Sequence, residues 1–423
     1  MIKQKLLFRG PIKTLSGYGS HSRDLLKSLY DMDSFDIYID SCNWGKTPMT
    51  ALEPEVNLFH TWIEENIVSS LDFIPDVYIQ VTVPNEFQRK GKYNIGVTAG
   101  IETTAAPKEW IDGINRMDKV ITTSTFSRDV LLQTVYNETD KVTGKLISQH
   151  KINVDLEVLH EGVDTSIYYE KESDLELDLE DDFNYLFVGH WLKGDIGQDR
   201  KDVGMLIKCF CDSFNGVDDS PGLILKTSSA NFSIKQREVM RKKIQRITSS
   251  YSNPPNIYLL FGQLTDDEMN DLYNHPKVKS MVSLTKGEGF GRPLLEFSLT
   301  GKPIMVSGWS GHTDFLHPKY NFLLPGKLEK IHPSAVNQWL IAESSWFKPD
   351  EPHIGSSFKE IFKNYRKVLK KTSKQSQHAK NNFSFNKMKK LISNLLTSNL
   401  PYFPKQIELN MPKISLPKLK KIK

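Results

Sequence analysis

Short apolar runs rich in β-branched residues alternate with amphipathic stretches along most of this chain, and the alternation occurs twice. The first series runs from KQKLLFRG, residues 3–10, to LEVLHEGVD, residues 156–164. The second runs from FNYLFVGHW, residues 183–191, to KPIMVSG, residues 302–308. Strands that alternate with helices form parallel sheets with helices on both faces. The pattern predicts two doubly wound α/β domains with a cleft between them, and ligands in such sheets bind beyond the carboxyl ends of the strands.

The length of the chain and the break between the two series set the expected domain boundaries. At 423 residues the chain is too long for one domain of ordinary size. We predict a first domain over residues 1–167, a solvated acidic loop or linker over 168–182 and a second domain over 183–355. Residues 356–400 are predicted to form helices, and residues 401–423 an extended, flexible basic tail.

The composition excludes several classes of protein. Three cysteines, Cys42, Cys209 and Cys211, are too few for a disulfide framework, and no second metal-type pair accompanies the close pair. A net charge of +4 is too small to indicate nucleic-acid binding by the whole chain. No run approaches the roughly 20 apolar residues of a membrane helix, and no signal peptide is evident. We therefore expect a cytoplasmic protein.

The stretch KGEGFGRPLLE, residues 286–296, is the most informative in the sequence. It follows the strand-like MVSLT and begins a helix that ends at Gly301, so its glycines lie in a strand-to-helix turn. Backbone N–H groups in such a turn, together with the helix dipole, suit phosphate oxygens. The carboxylates of Glu288 and Glu296 can accept hydrogen bonds from sugar hydroxyls. The turn therefore favours a nucleotide-sugar as ligand, although both glutamates could also be ordinary surface carboxylates.

This stretch resembles the E-x7-E region of the family-four glycosyltransferases, whose usual form is close to EGFGLPLLEAMACGTPVV. Further segments are similar to that family and occur in its order: VLHEGVDTSIY, YLFVGHW with RKDVGMLIKCF, NIYLLFGQLTDDEMNDLYNH and FSFNKMKKLISNLL. The resemblance covers roughly residues 5–396. It implies the GT-B fold, in which two Rossmann-like domains face each other across a cleft and C-terminal helices cross back to the first domain. It also implies retaining transfer of a sugar from a nucleotide-diphosphate donor, a UDP- or GDP-sugar, to a hydroxyl acceptor.

The resemblance also implies a role for each residue at a matching position. Glu288 would contact hydroxyls of the transferred sugar, and Glu296 would hold the ribose of the nucleotide. Lys201 would neutralise the diphosphate as it leaves. Backbone groups that would approach the donor belong to Gly289, Phe290 and Gly291 in the turn and to Gly17 and Gly19 after the first strand. No Asp-x-Asp metal motif is evident in the relevant turns, so no metal is expected.

The sequence departs from the family's pattern at three places. The family usually has an arginine after the strand glycine that precedes Lys201, whereas this chain has His190 there, and Arg200 is the candidate substitute. Arg292 stands where the family usually has an apolar residue, and it could bind phosphate or acceptor. The first-domain loop that often supplies a histidine contains Glu102 instead. The roles of Glu102, His190 and His312 stay open at this stage.

The acceptor is the least predictable partner, because acceptors bind mainly the first domain, where the sequence is least typical of the family. A glycan, including a lipid-linked one, is expected, and a hydroxymethylated DNA base is the alternative. The lysines of the tail could contact DNA or an anionic membrane, which would place the protein peripherally at a membrane surface. A non-catalytic protein that uses the same fold to bind a glycan or a partner is a further alternative.

Overall fold

The computed structural model describes residues 3–192, 194–229 and 232–403. Two six-stranded sheets dominate this part of the chain. We call the first sheet with its helices the first lobe, and the second sheet with its helices the second lobe. The first lobe contains β1 (Gln4–Gly10), α1 (Gly17–Met32), β2 (Phe35–Ser41), α2 (Leu58–Glu65), β3 (Val77–Val81), a 3-10 helix (Pro84–Glu86), β4 (Tyr93–Thr98), α3 (Lys108–Asn115), β5 (Lys119–Thr122), α4 (Thr125–Gln133), β6 (Tyr136–Thr139), β7 (Leu146–His150) and β8 (Leu156–Val158).

The second half of the chain repeats this alternation of strands and helices. The second lobe contains β9 (Asn184–His190), α5 (Val203–Phe214), β10 (Gly222–Ser228), α6 (Ile234–Thr248), β11 (Ile257–Leu260), α7 (Asp266–Asn274), β12 (Val278–Ser283), α8 (Arg292–Ser298), β13 (Ile304–Ser307), a 3-10 helix (Gly311–Asp314), β14 (Phe322–Leu324), β15 (Gly326–Lys330), a 3-10 helix (Pro333–Ala335) and β16 (Ser345–Pro349). The last elements are α9 (Glu351–Lys363), α10 (Tyr365–Thr372), α11 (Lys374–Asn382) and α12 (Phe385–Asn399).

Every strand pair within the two sheets is parallel. The first sheet has the order β2-β1-β3-β4-β5-β8, and a parallel bridge between Ile39 and Ile67 extends it beyond β2. The second has the order β11-β10-β9-β12-β13-β14, which is the 3-2-1-4-5-6 order of a Rossmann fold. Strands such as β3, buried at every position, require cover on both faces. The prediction of two doubly wound α/β sheets is confirmed.

The C-terminal helices divide between the two lobes. Ile354 and Phe358 of α9 lie in the core of the second lobe, and Ala379 of α11 packs in the core around α8. Of the four helices described here, α12 alone crosses back, and its Met388 and Ile392 complete the core of the first lobe against α1. The expectation that the helices from residue 356 onward pack on the first lobe is therefore wrong for α9–α11 and correct for α12.

The acidic segment 168–182 is an ordered strap on the second lobe. Its side chains alternate, because Leu175, Leu177 and Leu179 pack against the core beside α7 while the acidic residues between them face solvent. The backbone N–H of Tyr169 donates to Asn270 Oδ1 at 3.3 Å, which ties the strap to α7. The expectation of a solvated loop is wrong for this inner face, since a period of two places every second side chain on one side of an extended chain.

Three further elements were not expected from the sequence. Helix α2 and the hairpins β6–β7 and β15–β16 interrupt the regular alternation, and the second hairpin reaches the first lobe, where Ser345 and Thr104 exchange hydrogen bonds. In the part of the chain that the structure describes, no helix has the length and apolarity to cross a membrane. The predicted basic tail lies outside the described residues from residue 404 onward.

Candidate functional site

The glycine turn lies between β12 and α8, as predicted, at the carboxyl edge of the second sheet. Gly291 precedes α8 with φ 98°, a left-handed conformation that residues with a side chain rarely adopt. The backbone N–H of Glu288 donates to Ser310 Oγ at 2.9 Å, and the N–H of Gly311 donates to Glu288 O at 2.9 Å. The loop that follows β13 therefore holds the turn in place.

The turn is in direct contact with the first lobe. A Cβ atom at Gly289 would lie 2.3 Å from the carbonyl oxygen of Ala99, the residue that follows β4, so only glycine allows this approach. The hydroxyl of Thr123, after β5, donates to Gly289 O at 3.4 Å. The carboxyl edges of the two sheets thus meet at the predicted site, and the lobes are closed over it.

Glu288 lies in a cluster of two cations and two carboxylates. Lys201 Nζ donates to Glu288 Oε1, and Arg200 contacts Glu288 Oε2 at 3.4 Å. Arg200 Nε also reaches Glu102 Oε2 of the first lobe at 2.9 Å. The structure therefore brings together Glu288, Lys201 and Arg200, which the sequence predicted as site residues, with Glu102, whose role the sequence left open.

The charges of this cluster set the ionisation of its two acids. Burial alone would raise the pKa of Glu288, but Lys201 and then Arg200 outweigh it and lower the pKa to about 2. Burial raises the pKa of Glu102, and the attraction of Arg200 offsets only part of the rise. Glu288 is consequently ionised at neutral pH, and its carboxylate holds Lys201 and Arg200 in place while no other anion is bound.

A buried lysine supports the loop that carries the two cations. Lys286 is fully buried, and its Nζ contacts Glu329 at 2.9 Å and Asp202 at 3.4 Å. Its backbone N–H donates to Arg200 O at 2.8 Å. Residues 200–202 are therefore fixed against the glycine turn, which explains why Arg200 and Lys201 both reach Glu288.

A second cluster surrounds Arg292, the first residue of α8, which directly follows the glycine turn. Its guanidinium contacts Asp24 of α1 and, at 3.7 Å, Glu161, which follows β8. It also donates from Nε to Glu296 Oε1 at 2.9 Å, while Tyr273 donates its hydroxyl to Glu296 Oε2 at 3.1 Å. Three carboxylates from two lobes thus share the positive charge of one arginine.

The excess of carboxylates makes this second cluster unlike the first. Burial raises the pKa of Glu296 to about 7 and that of Glu161 to about 7, because one guanidinium cannot offset the desolvation of three acids. His21 of α1 lies beside them, and burial lowers its pKa to about 3. Within the described residues, neither ring nitrogen of His21 has a hydrogen-bond partner.

The other predicted site residues lie around the same junction. Gly17 begins α1 with open space beside it, whereas the N–H of Gly19 already donates to Ser16 Oγ at 3.0 Å. The side chain of Phe290 is buried against Phe315, so only its backbone lines the turn.

The two histidines have different environments. His190 is exposed at the end of β9, where its Nδ1 lies 3.3 Å from Ser228 Oγ. His312 is fully buried beneath Gly291, with its Nε2 2.6 Å from Ser307 O, and burial lowers its pKa. His312 therefore supports the turn as a neutral side chain.

Asp24 and Glu161 were not predicted as site residues from the sequence. Glu161 has a signal, because it stands in HEGVD where the resembling family has PNGVD, and a charge at that loop position is unexpected. Asp24 has none, since an acid on an amphipathic helix is ordinary. No cluster of three or more His, Cys, Asp or Glu side chains suited to a metal ion occurs in residues 3–192, 194–229 and 232–403.

Solved structures share this architecture, although no protein-family model and no curated protein matches the sequence. HepE from Anabaena, in complex with UDP and glucose, aligns with a TM-score of 0.62 at 15% identity, over 93% of this chain and 100% of that one. Sucrose-phosphate synthase from Thermosynechococcus elongatus gives 0.62 at 12% identity, and a glycosyltransferase from Rickettsia africae gives 0.60 at 12%. Both alignments cover 94% of this chain and 99% of the other. The chain has the GT-B fold.

Proposed function

We propose that the protein is a retaining glycosyltransferase that uses a nucleotide-diphosphate sugar as donor. The observation that carries the proposal is the pairing of Glu288 with Lys201 and Arg200 where the two sheets of a GT-B fold meet. The complexes of HepE with UDP and glucose and with UDP-glucose support a UDP-sugar in particular. A hydroxyl of a glycan would accept the sugar, and the reaction would take place in the cytoplasm.

Lys201 and Arg200 would bind the diphosphate and exchange their present contacts with Glu288 and Glu102 for contacts with its oxygens. Arginine and lysine both form charge-assisted hydrogen bonds with phosphate oxygens, and arginine can do so with two donors at once. Breaking the bond between sugar and phosphate increases the charge on the leaving group, so fixed cations stabilise the transition state more than the ground state. Arg200 would thus take the place of the arginine that the resembling family has near the strand glycine.

Glu288, once released from Lys201, would accept hydrogen bonds from hydroxyls of the transferred sugar. Glu296 would bind the ribose, because each of its oxygens keeps a free lone pair beside Arg292 and Tyr273. Arg292 would orient Glu296 rather than contact phosphate. Backbone groups of Gly17 and of residues 289–291 would approach the donor, whereas Gly19 would serve mainly to allow the tight turn.

The closed lobes require that the donor enters an open form. The contacts of Gly289 with Ala99 and Thr123 leave little space at the junction, so donor binding must separate the lobes at least partly. Closure over a bound donor would then exclude water and limit wasteful hydrolysis. Acceptor attack from the same face as the departing diphosphate would retain the anomeric configuration.

The test is a screen of UDP- and GDP-sugars that scores release of the nucleoside diphosphate, with the anomeric configuration of any product read by NMR. Glu288→Ala and Lys201→Ala should each lower turnover by at least about 100-fold, the usual effect of losing one charge-stabilising group. Glu176→Ala, on the exposed face of the strap, is the control and should leave turnover unchanged. The proposal fails if no donor is turned over, or if both site variants behave like the control; binding of UDP without turnover would indicate the non-catalytic alternative.

A further inference from the structure

Two aromatic rings stack on the cleft side of the first lobe. The rings of Tyr18, on the first turn of α1, and Trp44, in the loop after β2, have centroids 4.1 Å apart and planes 27° apart. Trp44 is only partly buried, and its neighbours Asn43, Gly45 and Lys46 are exposed. The outer part of this stack, which we call the aromatic shelf, is therefore accessible from solvent.

The shelf is fixed close to the proposed transfer site. The hydroxyl of Tyr18 lies 2.9 Å from Thr98 Oγ1 and accepts a hydrogen bond from the N–H of Ala99 at 3.1 Å. The carbonyl of the same Ala99 contacts Gly289, the residue next to Glu288. Ala99, the residue that follows β4, thus lies between the aromatic shelf and the glycine turn and contacts both. Backbone hydrogen bonds from Leu15 to Pro48 and from Ala51 to Lys13 hold the loop of Trp44 beside α1.

The charges near the shelf do not suit a polyanion. Glu102 and Glu161 both lie close enough to Tyr18 to affect its ionisation. Of the nearby cations, Lys13 is paired with Glu64 at 2.7 Å, and Arg23 donates to the backbone carbonyls of Ile12 and Thr14. Lys46 adds a single exposed positive charge. Nucleic-acid binding depends on several unpaired cations that neutralise phosphates, and the described residues of this surface do not offer them.

We propose that the aromatic shelf binds an uncharged sugar ring of the acceptor, so that the acceptor is a neutral glycan rather than DNA. The apolar C–H face of a pyranose would pack on the indole, as small-molecule sites combine apolar surface with a few placed polar groups. The hydroxyls at the rim of the sugar would face the carboxylates beside the shelf. This inference depends on the proposed function, because it assigns the acceptor of the same reaction.

The experiment separates the acceptor step from the donor step. Donor hydrolysis is measured without acceptor, and transfer is measured with a panel of neutral methyl glycosides and oligosaccharides and, in a second arm, with duplex DNA that carries hydroxymethylated bases. Trp44→Ala should raise the KM for the best neutral acceptor about tenfold, the equivalent of one aromatic contact, while donor hydrolysis is unchanged. Trp44→Phe should recover most of the loss, because it restores an aromatic face.

Trp62 provides the matched control, since it is a partly buried tryptophan of the first lobe that stacks on Phe59 of α2. Trp62→Ala should leave the KM for the acceptor unchanged. An unchanged KM in Trp44→Ala, an equal rise in Trp62→Ala, or transfer to the DNA alone would each overturn the inference. If the protein hydrolyses no donor at all, the proposed function itself has failed. Circular dichroism identifies a variant that does not fold. If Trp44→Ala does not fold, the acceptor KM of Trp44→Phe is the test, and a value close to that of the unmodified protein is expected.

Discussion

Replacing Glu161 by glutamine is expected to stabilise the protein at alkaline pH, although Glu161 lies beside an arginine. Glu161 is 6% exposed, and its carboxylate reaches Arg292 only at 3.7 Å, because Asp24 and Glu296 take the closer positions on that guanidinium. Among the described residues its Oε2 has no hydrogen-bond partner. Burial therefore dominates and raises the pKa of Glu161 to about 7.

The sign and size of the effect follow from this pKa. A glutamate has a pKa near 4.5 when unperturbed, so between that pH and about 7 the folded protein retains a proton that the unfolded chain has released. The contribution of Glu161 to the free energy of unfolding must then fall as the pH rises through this window, and stay constant above it. The penalty is about 3 kcal/mol at pH 8 and about 1 kcal/mol at pH 5.5. Glutamine does not ionise, so Glu161→Gln should recover the penalty at each pH.

Glu288→Gln is the matched contrast, because Glu288 is also 6% exposed and undergoes the same substitution. Its pKa falls to about 2, since Lys201 and Arg200 outweigh its burial, so its charge stabilises the fold above pH 4.5 and this stabilisation is lost as the pH falls toward 2. Glu288→Gln should therefore destabilise the protein at pH 8 by about 3 kcal/mol. Urea unfolding, followed by tryptophan fluorescence at pH 8 and pH 5.5, measures both variants. A lower urea midpoint for Glu161→Gln at pH 8, or a gain of equal size at both pH values, would refute the reasoning.

Two further predictions concern the lobe junction and the thiols. Gly289→Ala should force the lobes apart, because its Cβ would lie 2.3 Å from Ala99 O, and small-angle scattering should show a larger radius of gyration. Gly355→Ala is the control and should leave the radius of gyration unchanged, because its Cβ would lie 3.4 Å from the nearest atom, Ser213 Oγ. A thiol reagent should modify at most Cys42 in the folded protein, since Cys209 and Cys211 are 4% and 0% exposed and burial raises the pKa of each to about 12. All three thiols should react in urea. Fast labelling of all three thiols without urea would contradict the burial of Cys209 and Cys211.

Much of the fold was predictable because its elements depend on local pattern. The strand GLILKTS coincides with β10, and Thr265 caps the N-terminus of α7 in a reciprocal arrangement with Glu268 that the side-chain types alone indicate. The glycine turn was predictable for the same reason, since Gly291 must adopt a backbone conformation that few other residues reach. In each case the information lies within about ten residues of the chain.

The features that were not predicted depend on distant partners. The strap 168–182 has three leucines spaced by two, but whether they are buried is decided by α7, about a hundred residues later in the chain. Helices α9 and α12 are both amphipathic, and only the shape of the two cores assigns them to different lobes. The Arg292 cluster combines residues of α1, the loop after β8 and α8, so no local pattern could indicate that three acids meet one arginine.

The charge balance of the two clusters argues for a division of labour in the proposed site. Lys201 and Arg200 face two carboxylates, Glu288 and Glu102, so an incoming diphosphate can replace those acids as counterion without leaving either cation unpaired. Around Arg292 the acids already outnumber the base by three to one, and a further anion would only add repulsion. Hydroxyls carry no charge and can donate to carboxylates, so the second cluster suits a ribose and the first a diphosphate. A donor with the two groups in reverse order would meet repulsion at one end and unpaired cations at the other, which is the physical reason to expect a single orientation of the nucleotide in this junction.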